Sequence, residues 1–310
     1  MNETNTAPPS RPRIALLGAG TMGAGIAERL LDQGFAVDVW NRTPSPSAHL
    51  AERGATAYTK AARAVADADV VLTMLPTAEA VKEVMLGQGT LSDLRNGAVW
   101  AQMGTIGLEA TESLASQVAR ERPDIAFVDA PVSGSRGPAR NGGLLMLASG
   151  PEHAEPILAP VFAALGQRTL WLGAAGAGTR MKLILNTWLA FEVEAVAEVS
   201  ALATRLGVSY QALLEAVSGG TLASGVALTK LAKIEQGDDA PDFSLEWALK
   251  DLDLATASVG EEVIPVVGTI AARWRRLVAS GYGRLDISAA RLGLEATPIG
   301  SGNGQPHKVT

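Results

Sequence analysis

The sequence predicts an α/β chain with an N-terminal doubly wound sheet and an all-helical C-terminal domain, joined by a long interdomain helix. Up to about Gly173 short apolar runs alternate with amphipathic segments, and beyond Gly178 only long helix-like segments remain. The length of 310 residues also exceeds that of one ordinary domain. We expect domains at 12–174 and 175–297, with disordered tails at 1–11 and 298–310.

The predicted strands are short apolar runs, separated by helix-like segments that carry an apolar stripe. The strands are Ile14–Leu17, Ala36–Trp40, Val70–Leu75, Ala98–Ala101, Ala126–Val128, Leu144–Ala148 and Thr169–Leu172. The helices between them are Met22–Gln33, Ala78–Leu86, Leu108–Arg120 and Pro151–Ala164. Strands that alternate with helices indicate βαβ units and a largely parallel sheet.

The second half contains long segments rich in Ala and Leu. The predicted helices are Thr179–Leu206, Tyr210–Val217, Val226–Glu235, Ser244–Val259 and Val263–Ala279. The first of these lacks Gly and Pro and would span about 40 Å at 1.5 Å per residue, enough to join two domains. Gly207 is typical of a helix C-terminus and Ser209 of the N-cap of the next helix.

The composition and the charge of the chain argue against several classes of function. The net charge is −6 and the densest basic group is Arg273, Arg275 and Arg276, a helix edge, so we expect no nucleic-acid partner. No apolar run reaches membrane-spanning length, the N-terminus lacks the apolar core of a signal peptide, and there is no cysteine. These features predict a cytoplasmic protein. The three histidines are scattered, so neither a metal site nor a Ser-His-Asp triad is expected.

A glycine fingerprint follows the first predicted strand and opens the first helix. Its residues are Gly18, Ala19, Gly20, Thr21, Met22 and Gly23. Gly18 allows the tight turn, Gly20 lets the backbone approach a pyrophosphate, and Gly23 lets helix and strand pack closely. The helix N-terminus adds N–H groups and positive potential. A glycine-rich turn without a ligand is the alternative, but the strand–turn–helix context favours a Rossmann dinucleotide site.

The end of the second strand predicts which dinucleotide binds. An NAD-specific site has an acidic residue there for the ribose 2′-OH. This chain has Asn41, Arg42 and Thr43 instead, and a guanidinium can bind a 2′-phosphate. We therefore expect NADP(H) to be preferred over NAD(H). Leu75 and Pro76, after the strand at Val70, would contact the cofactor through backbone and apolar surface.

Lys182 and Asn186 are the candidate catalytic pair. Their spacing of four places both side chains on one face of the long predicted helix, among apolar neighbours. Partial loss of hydration would favour neutral lysine, and a lysine that exists in both forms can carry a proton. The alternative is a snorkelling lysine beside a core asparagine.

Small residues follow the strand around Phe127, in the stretch Asp129-Ala130-Pro131-Val132-Ser133-Gly134-Ser135. Exposed N–H groups and hydroxyls there suit an anionic carboxylate. Other motifs follow in order: Gly142-Gly143, Gly176–Asn186, Lys250-Asp251-Leu252 and the stretch from Gly281 to Ser288. With the glycine fingerprint, they make nearly the whole chain except its tails resemble the β-hydroxyacid dehydrogenase family.

The resemblance implies a role for each matching position. Lys182 would be the catalytic lysine, and Asn186 would position the substrate. Ser133 and Gly134 would hold the substrate carboxylate, Thr105 would lie near the nicotinamide, and Lys250 would approach the cofactor from the second domain. Gly104 stands where the family often has serine, which puts a contact from that position in doubt. The implied reaction is reversible hydride transfer to a small carboxylate substrate, with protons exchanged by Lys182.

The motifs indicate the branch of the family and the oligomeric state less specifically than they indicate the family. Ser133-Gly134-Ser135 and Pro138-Ala139 look closest to the glyoxylate/succinic semialdehyde reductase branch, whereas Trp188 departs from it and could reshape the pocket. The alternatives are an imine reductase-like enzyme, against which Lys182 weighs, and a catalytically silent NADP-binding interaction protein. By analogy with the family, we expect a homodimer or homotetramer.

Overall fold

The computed structural model describes residues 11–294. Their strands are β1 (Ile14–Leu17), β2 (Val37–Trp40), β3 (Thr56–Tyr58), β4 (Val70–Thr73), β5 (Val99–Gln102), β6 (Ala126–Asp129), β7 (Val132–Ser133), β8 (Leu144–Ala148) and β9 (Gly166–Trp171). Their α-helices are α1 (Thr21–Asp32), α2 (Pro44–Glu52), α3 (Ala61–Val65), α4 (Ala78–Lys82), α5 (Leu108–Glu121), α6 (Arg136–Asn141), α7 (Glu155–Leu165), α8 (Ala177–Arg205), α9 (Tyr210–Val217), α10 (Gly225–Gln236), α11 (Leu245–Val259) and α12 (Pro265–Ala279). The tails predicted at 1–11 and 298–310 lie outside the described residues, except Arg11.

The strands form two sheets. A six-stranded sheet has the order β3-β2-β1-β4-β5-β6 with every pair parallel, which is the Rossmann order. The predicted parallel sheet is therefore confirmed. A second sheet of β7, β8 and β9 was not predicted; β7 and β8 are antiparallel, and β8 and β9 are parallel.

The central strands of the large sheet are buried on both faces, which explains their continuous apolar runs. Ile14 and Leu16 of β1 pack into the core on one face, and Ala15 and Leu17 pack into the core on the other. All four are fully buried. Since successive side chains of a strand point to opposite faces, both layers of helices are built on the same short strands.

The chain divides into two compact units. Residues up to Thr187 together with Asp251–Val263 form the first unit, and Trp188–Lys250 with the residues from Ile264 form the second. The first turns of α8 and the second half of α11 thus belong to the first unit. No helix among residues 11–294 is long and apolar enough to cross a membrane.

Buried ion pairs hold the helices of the second unit together. Arg273 donates from Nε and Nη2 to Glu194, each at 2.5 Å, and the Trp274 indole N–H donates to the same carboxylate at 2.9 Å. Lys230 donates to both oxygens of Asp286 at 2.8 and 3.0 Å. Arg273 is therefore not part of a solvated helix edge, because its guanidinium pairs with the buried carboxylate of Glu194.

Candidate active site

The glycine fingerprint forms the turn from β1 into α1. Gly18 is buried at φ +105°, and a Cβ there would lie 2.4 Å from the Met74 carbonyl oxygen. A Cβ at Gly23 would lie 1.9 Å from the Gly18 carbonyl oxygen, so the turn and the helix can pack only without side chains. Gly20 is the exposed N-cap of α1 with nothing within 4 Å of a Cβ position, and no side chain caps the helix. This backbone is open to a pyrophosphate, and Thr21 and Met22 follow in the first turn.

Asn41 ties the end of β2 to the glycine turn. Its Oδ1 accepts from the Ala19 N–H at 2.9 Å, and its Nδ2 donates to the carbonyl and hydroxyl oxygens of Thr43, each at 2.9 Å. Arg42 and Thr43 themselves are exposed beside this tie. The amide therefore orients the loop, and the guanidinium remains accessible to a ligand.

The ends of β4 and β5 meet beside the glycine turn. Leu75 is buried, Pro76 is exposed, and Thr105 is half-buried after β5. A Cβ at Gly104 would lie 2.3 Å from the Leu75 carbonyl oxygen, and Gln102 donates to the Gly104 carbonyl at 2.7 Å. Serine does not fit at position 104 with this backbone, which explains why glycine stands there.

The loop after β6 carries the predicted carboxylate-binding residues. Ser133 is half-buried in β7, and Gly134 is exposed at φ +132°. The positive φ favours glycine at this position, and a Cβ there would also require the Leu144 side chain to shift, since it would lie 2.8 Å from Leu144 Cδ2. Ser135 is the N-cap of α6.

Asp129 has a different role from the loop that follows it. Its carboxylate turns toward the start of α8, where Oδ2 accepts from the N–H groups of Thr179 at 2.8 Å and Gly176 at 3.1 Å. Burial raises the pKa of the Asp129 carboxyl above its ordinary value, and hydrogen bonds from Thr179, Ser149 and Gly176 offset part of that effect. Sequence reasoning missed this anchor; the only sequence signal is that the start of α8 lacks a local capping side chain.

Lys182 and Asn186 lie in the first turns of α8, within the first unit. Lys182 is half-buried, and Asn186 is 7% exposed and donates to Asp251 Oδ2 at 2.5 Å. Asp251 belongs to the Lys250-Asp251-Leu252 motif, and its contact holds the predicted positioning amide. The apolar surroundings are less closed than expected, because Ile184 is exposed beside them.

Two predicted residues belong to the second unit. Lys250 is half-buried, and its approach to a cofactor stays a prediction. Trp188 is 63% exposed, and its indole N–H donates to Glu192 at 2.9 Å. The exposure places most of the Trp188 ring on the surface of its own unit.

Comparison with known protein families gives two matches that together cover most of the chain. Residues 13–173 match the NAD binding domain of 6-phosphogluconate dehydrogenase. Residues 176–292 match the family described as NAD-binding of NADP-dependent 3-hydroxyisobutyrate dehydrogenase. A dinucleotide-binding first domain is thereby confirmed.

Individual relatives are similar to most of the chain. Cytokine-like nuclear factor N-PAC of Xenopus tropicalis is 36% identical over 256 residues, which are 82% of this chain, but the chain spans only 47% of that protein. Glyoxylate/succinic semialdehyde reductase 1 of Arabidopsis thaliana is 32% identical over 89% of this chain and 96% of the relative. The solved structure of Mycobacterium tuberculosis 3-hydroxyisobutyrate dehydrogenase with L-serine aligns with a TM-score of 0.81 at 29% identity, over 93% of this chain and all of that one.

Proposed function

The chain belongs to the β-hydroxyacid dehydrogenase family, and on that premise we propose that it transfers a hydride between NADP(H) and a small β-hydroxyacid or semialdehyde. The observation that carries this proposal is the placement of Lys182 and Asn186. Both lie at the start of α8, and Asp129 ties that start to the end of β6, four residues before Ser133. Proton-transfer, amide and carboxylate-binding groups therefore share one framework.

The first domain fits a phosphorylated dinucleotide. The open backbone at Gly20 and the N-terminus of α1 would hold the pyrophosphate. Arg42 and Thr43 would bind a 2′-phosphate, since no carboxylate at the end of β2 repels it. Leu75, Pro76 and Thr105 would line the nicotinamide side, and Lys250 is assigned to the cofactor by family resemblance alone.

The reaction divides between the cofactor and the side chains. Bound NADP(H) supplies or accepts the hydride. In reduction the Lys182 ammonium donates a proton to the oxygen of the former carbonyl; in oxidation neutral Lys182 takes that proton back, which favours oxidation at higher pH. The Asn186 amide gives one N–H to Asp251 and has a second N–H and an oxygen with which to orient the substrate.

The proposed substrate is a small carboxylate that carries an aldehyde or a hydroxyl group. Ser133 and the backbone at Gly134 would bind its carboxylate. The plant relative is named for glyoxylate and succinic semialdehyde, and the mycobacterial structure is named for 3-hydroxyisobutyrate. Both names describe compounds of this class, and Ser135 favours the first branch.

A second candidate is a cofactor-binding interaction protein without catalysis. The relative named a nuclear factor favours it, because it is 36% identical to this chain. A non-catalytic chain has no need of a proton carrier, yet Lys182, Asn186 and Ser133 are all present here. This combination favours the enzyme.

A screen of NADPH oxidation tests the proposal. The panel is glyoxylate, succinic semialdehyde, methylmalonate semialdehyde, tartronate semialdehyde and a cyclic imine, each assayed with NADPH and with NADH. We expect turnover with at least one aldehyde acid and a higher kcat/KM with NADPH. Activity on the imine alone would establish the imine reductase alternative, and NADPH binding without turnover would establish the silent one.

We also propose that the chain forms a homo-oligomer through α8. Large apolar side chains recur along the second part of α8 at spacings of three or four residues, or multiples of these. Each of them is more than a third exposed. They are Trp188, Phe191, Val199, Leu202 and, just past the end of the helix, Leu206. We call these five residues the α8 stripe. A second copy of the same stripe is a self-complementary partner for it.

A further inference from the structure

Four fully buried polar side chains meet at the start of α8. They are Thr111 of α5, Asp129 of β6, Ser149 after β8, and Thr179 of α8. We call these four residues the polar hub. All of them belong to the first compact unit, although they come from four separate elements.

Asp129 is the acceptor at the centre of the polar hub. Its Oδ1 accepts from the Thr179 hydroxyl at 2.8 Å, and its Oδ2 accepts from the Ser149 hydroxyl at 3.1 Å. The backbones of Asp129 and Ser149 also exchange two hydrogen bonds of 2.8 Å. A buried carboxylate is costly unless such donors surround it, so these contacts fix its orientation.

The polar hub also replaces a local cap at the start of α8. The residues before the helix are Ala174, Ala175 and Gly176, none of which has a capping oxygen. Asp129 accepts from the N–H groups of Gly176 and Thr179, and the Ser149 hydroxyl accepts from Gly178 N–H at 2.9 Å. A Cβ at Gly178 would lie 2.2 Å from the Leu147 carbonyl oxygen, so this close approach needs glycine.

A local N-cap would stabilise α8 without fixing its position. A cap that comes from β6 and from the end of β8 fixes the register of the helix against the sheet. The first turn of α8 therefore has a defined height and rotation relative to the carboxyl ends of the strands.

Three predicted site residues lie within four residues of this network. Lys182 is three residues after Thr179, and Ser133 is four residues after Asp129. Thr105 is two residues before Gly107, whose carbonyl accepts from the Thr111 hydroxyl at 2.8 Å. The hydroxyl oxygens of Thr111 and Thr179 lie 3.3 Å apart. The segment that carries Thr105 is therefore connected to the same network.

We propose that Asp129 is a positioning residue that sets Lys182 against the substrate-binding loop at Ser133. This inference rests on the proposed function, since it assigns Asp129 an effect on proton transfer through Lys182. A misplacement of about 1 Å can cost roughly 100-fold in rate. Loss of the remote cap should therefore lower kcat far more than it weakens cofactor binding.

Asp129→Ala tests this role with NADPH and succinic semialdehyde. We expect kcat to fall roughly 100-fold, while the Kd for NADPH changes less than about twofold because the glycine turn is intact. Asp129→Asn keeps an oxygen for the α8 N–H groups and should restore a large part of the lost kcat. The matched control is Glu194→Ala, which removes a buried carboxylate that belongs to α8 itself, about 22 Å further along the helix than Thr179. This control should lower Tm to a similar degree and keep kcat within about twofold of wild type.

A double-mutant cycle separates positioning from general damage to the fold. If Asp129 acts through Lys182, Asp129→Ala should reduce the residual rate of Lys182→Ala less than about threefold. An equal loss in both backgrounds, or a wild-type kcat in Asp129→Ala, would overturn the positioning role. If Asp129→Ala does not fold, Thr179→Val takes its place in the same cycle, because it keeps the backbone cap and removes only the hydroxyl contacts. Normal turnover of Lys182→Ala alone would instead refute the proposed function.

Discussion

Arg42 and Thr43 are exposed beside the glycine turn, while Asn41 is held by hydrogen bonds with Ala19 and Thr43. Arg42→Ala removes the guanidinium N–H donors that we assign to the 2′-phosphate. A charge-assisted hydrogen bond contributes about 1.5–3 kcal/mol, so kcat/KM with NADPH should fall by roughly 10- to 100-fold. The same quantity with NADH should change little, because NADH lacks that phosphate.

Steady-state kinetics with both cofactors check this expectation. The matched control is Arg120→Ala, since Arg120 is also an exposed arginine of the first unit but lies near the end of α5. It should leave both values unchanged. Equal losses with NADPH and NADH in Arg42→Ala would show that Arg42 does not discriminate between the cofactors.

Residues whose role follows from a local sequence motif could be predicted. Residues whose hydrogen-bond partners lie far away in the sequence could not. Gly18 and Gly23 follow from their spacing, because the turn itself requires glycine. Asp129 pairs with residues 20 to 50 positions away, and no local pattern reports such a pairing. Asp251 likewise gains its contact with Asn186 only through tertiary packing 65 positions away.

Whether a strand can be predicted from the sequence depends on its length and on how much of it is buried. The central strands are buried on both faces and appear as continuous apolar runs. By contrast, β3 has only three residues, two of them exposed, and gives no such run. In the second sheet, the predicted strands at Leu144–Ala148 and Thr169–Leu172 correspond to β8 and β9, whereas β7 has only two residues and gives no run of its own.

The long helix α8 carries a prediction about assembly. Leu202→Glu together with Leu206→Glu places two carboxylates on the α8 stripe, both at positions more than half exposed in one chain. Burial of a leucine side chain is worth about 1.5–3 kcal/mol, and burial of an unpaired carboxylate opposes association further. The molar mass from light scattering should drop toward that of a single 32.0 kDa chain.

Gln236→Glu adds a charge at an exposed polar position of α10 and serves as the control. This variant should keep the wild-type mass. A double variant with the same mass as wild type would exclude the α8 stripe as the interface.

At the scale of the whole molecule, the candidate site is concentrated in one unit. The glycine turn, the ends of β4, β5 and β6, and the first turns of α8 all belong to it, together with the half of α11 that carries Asp251. The sequence placed a domain boundary at 174/175, before α8. That boundary stays a prediction; the compact units divide after Thr187, and the first turn of α8 is bonded to the polar hub of the first unit.

The Lys182→Ala variant tests whether Lys182 transfers the proton that accompanies hydride transfer. Single-turnover and steady-state rates should be measured with NADPH and the preferred aldehyde, beside the NADPH Kd. Lys82→Ala, an exposed lysine of α4, is the matched control and should behave as wild type. Loss of a general acid–base group predicts a kcat lower by roughly 100- to 10,000-fold, with the NADPH Kd within about twofold of wild type. Near-normal turnover in Lys182→Ala would show that Lys182 is not the proton donor.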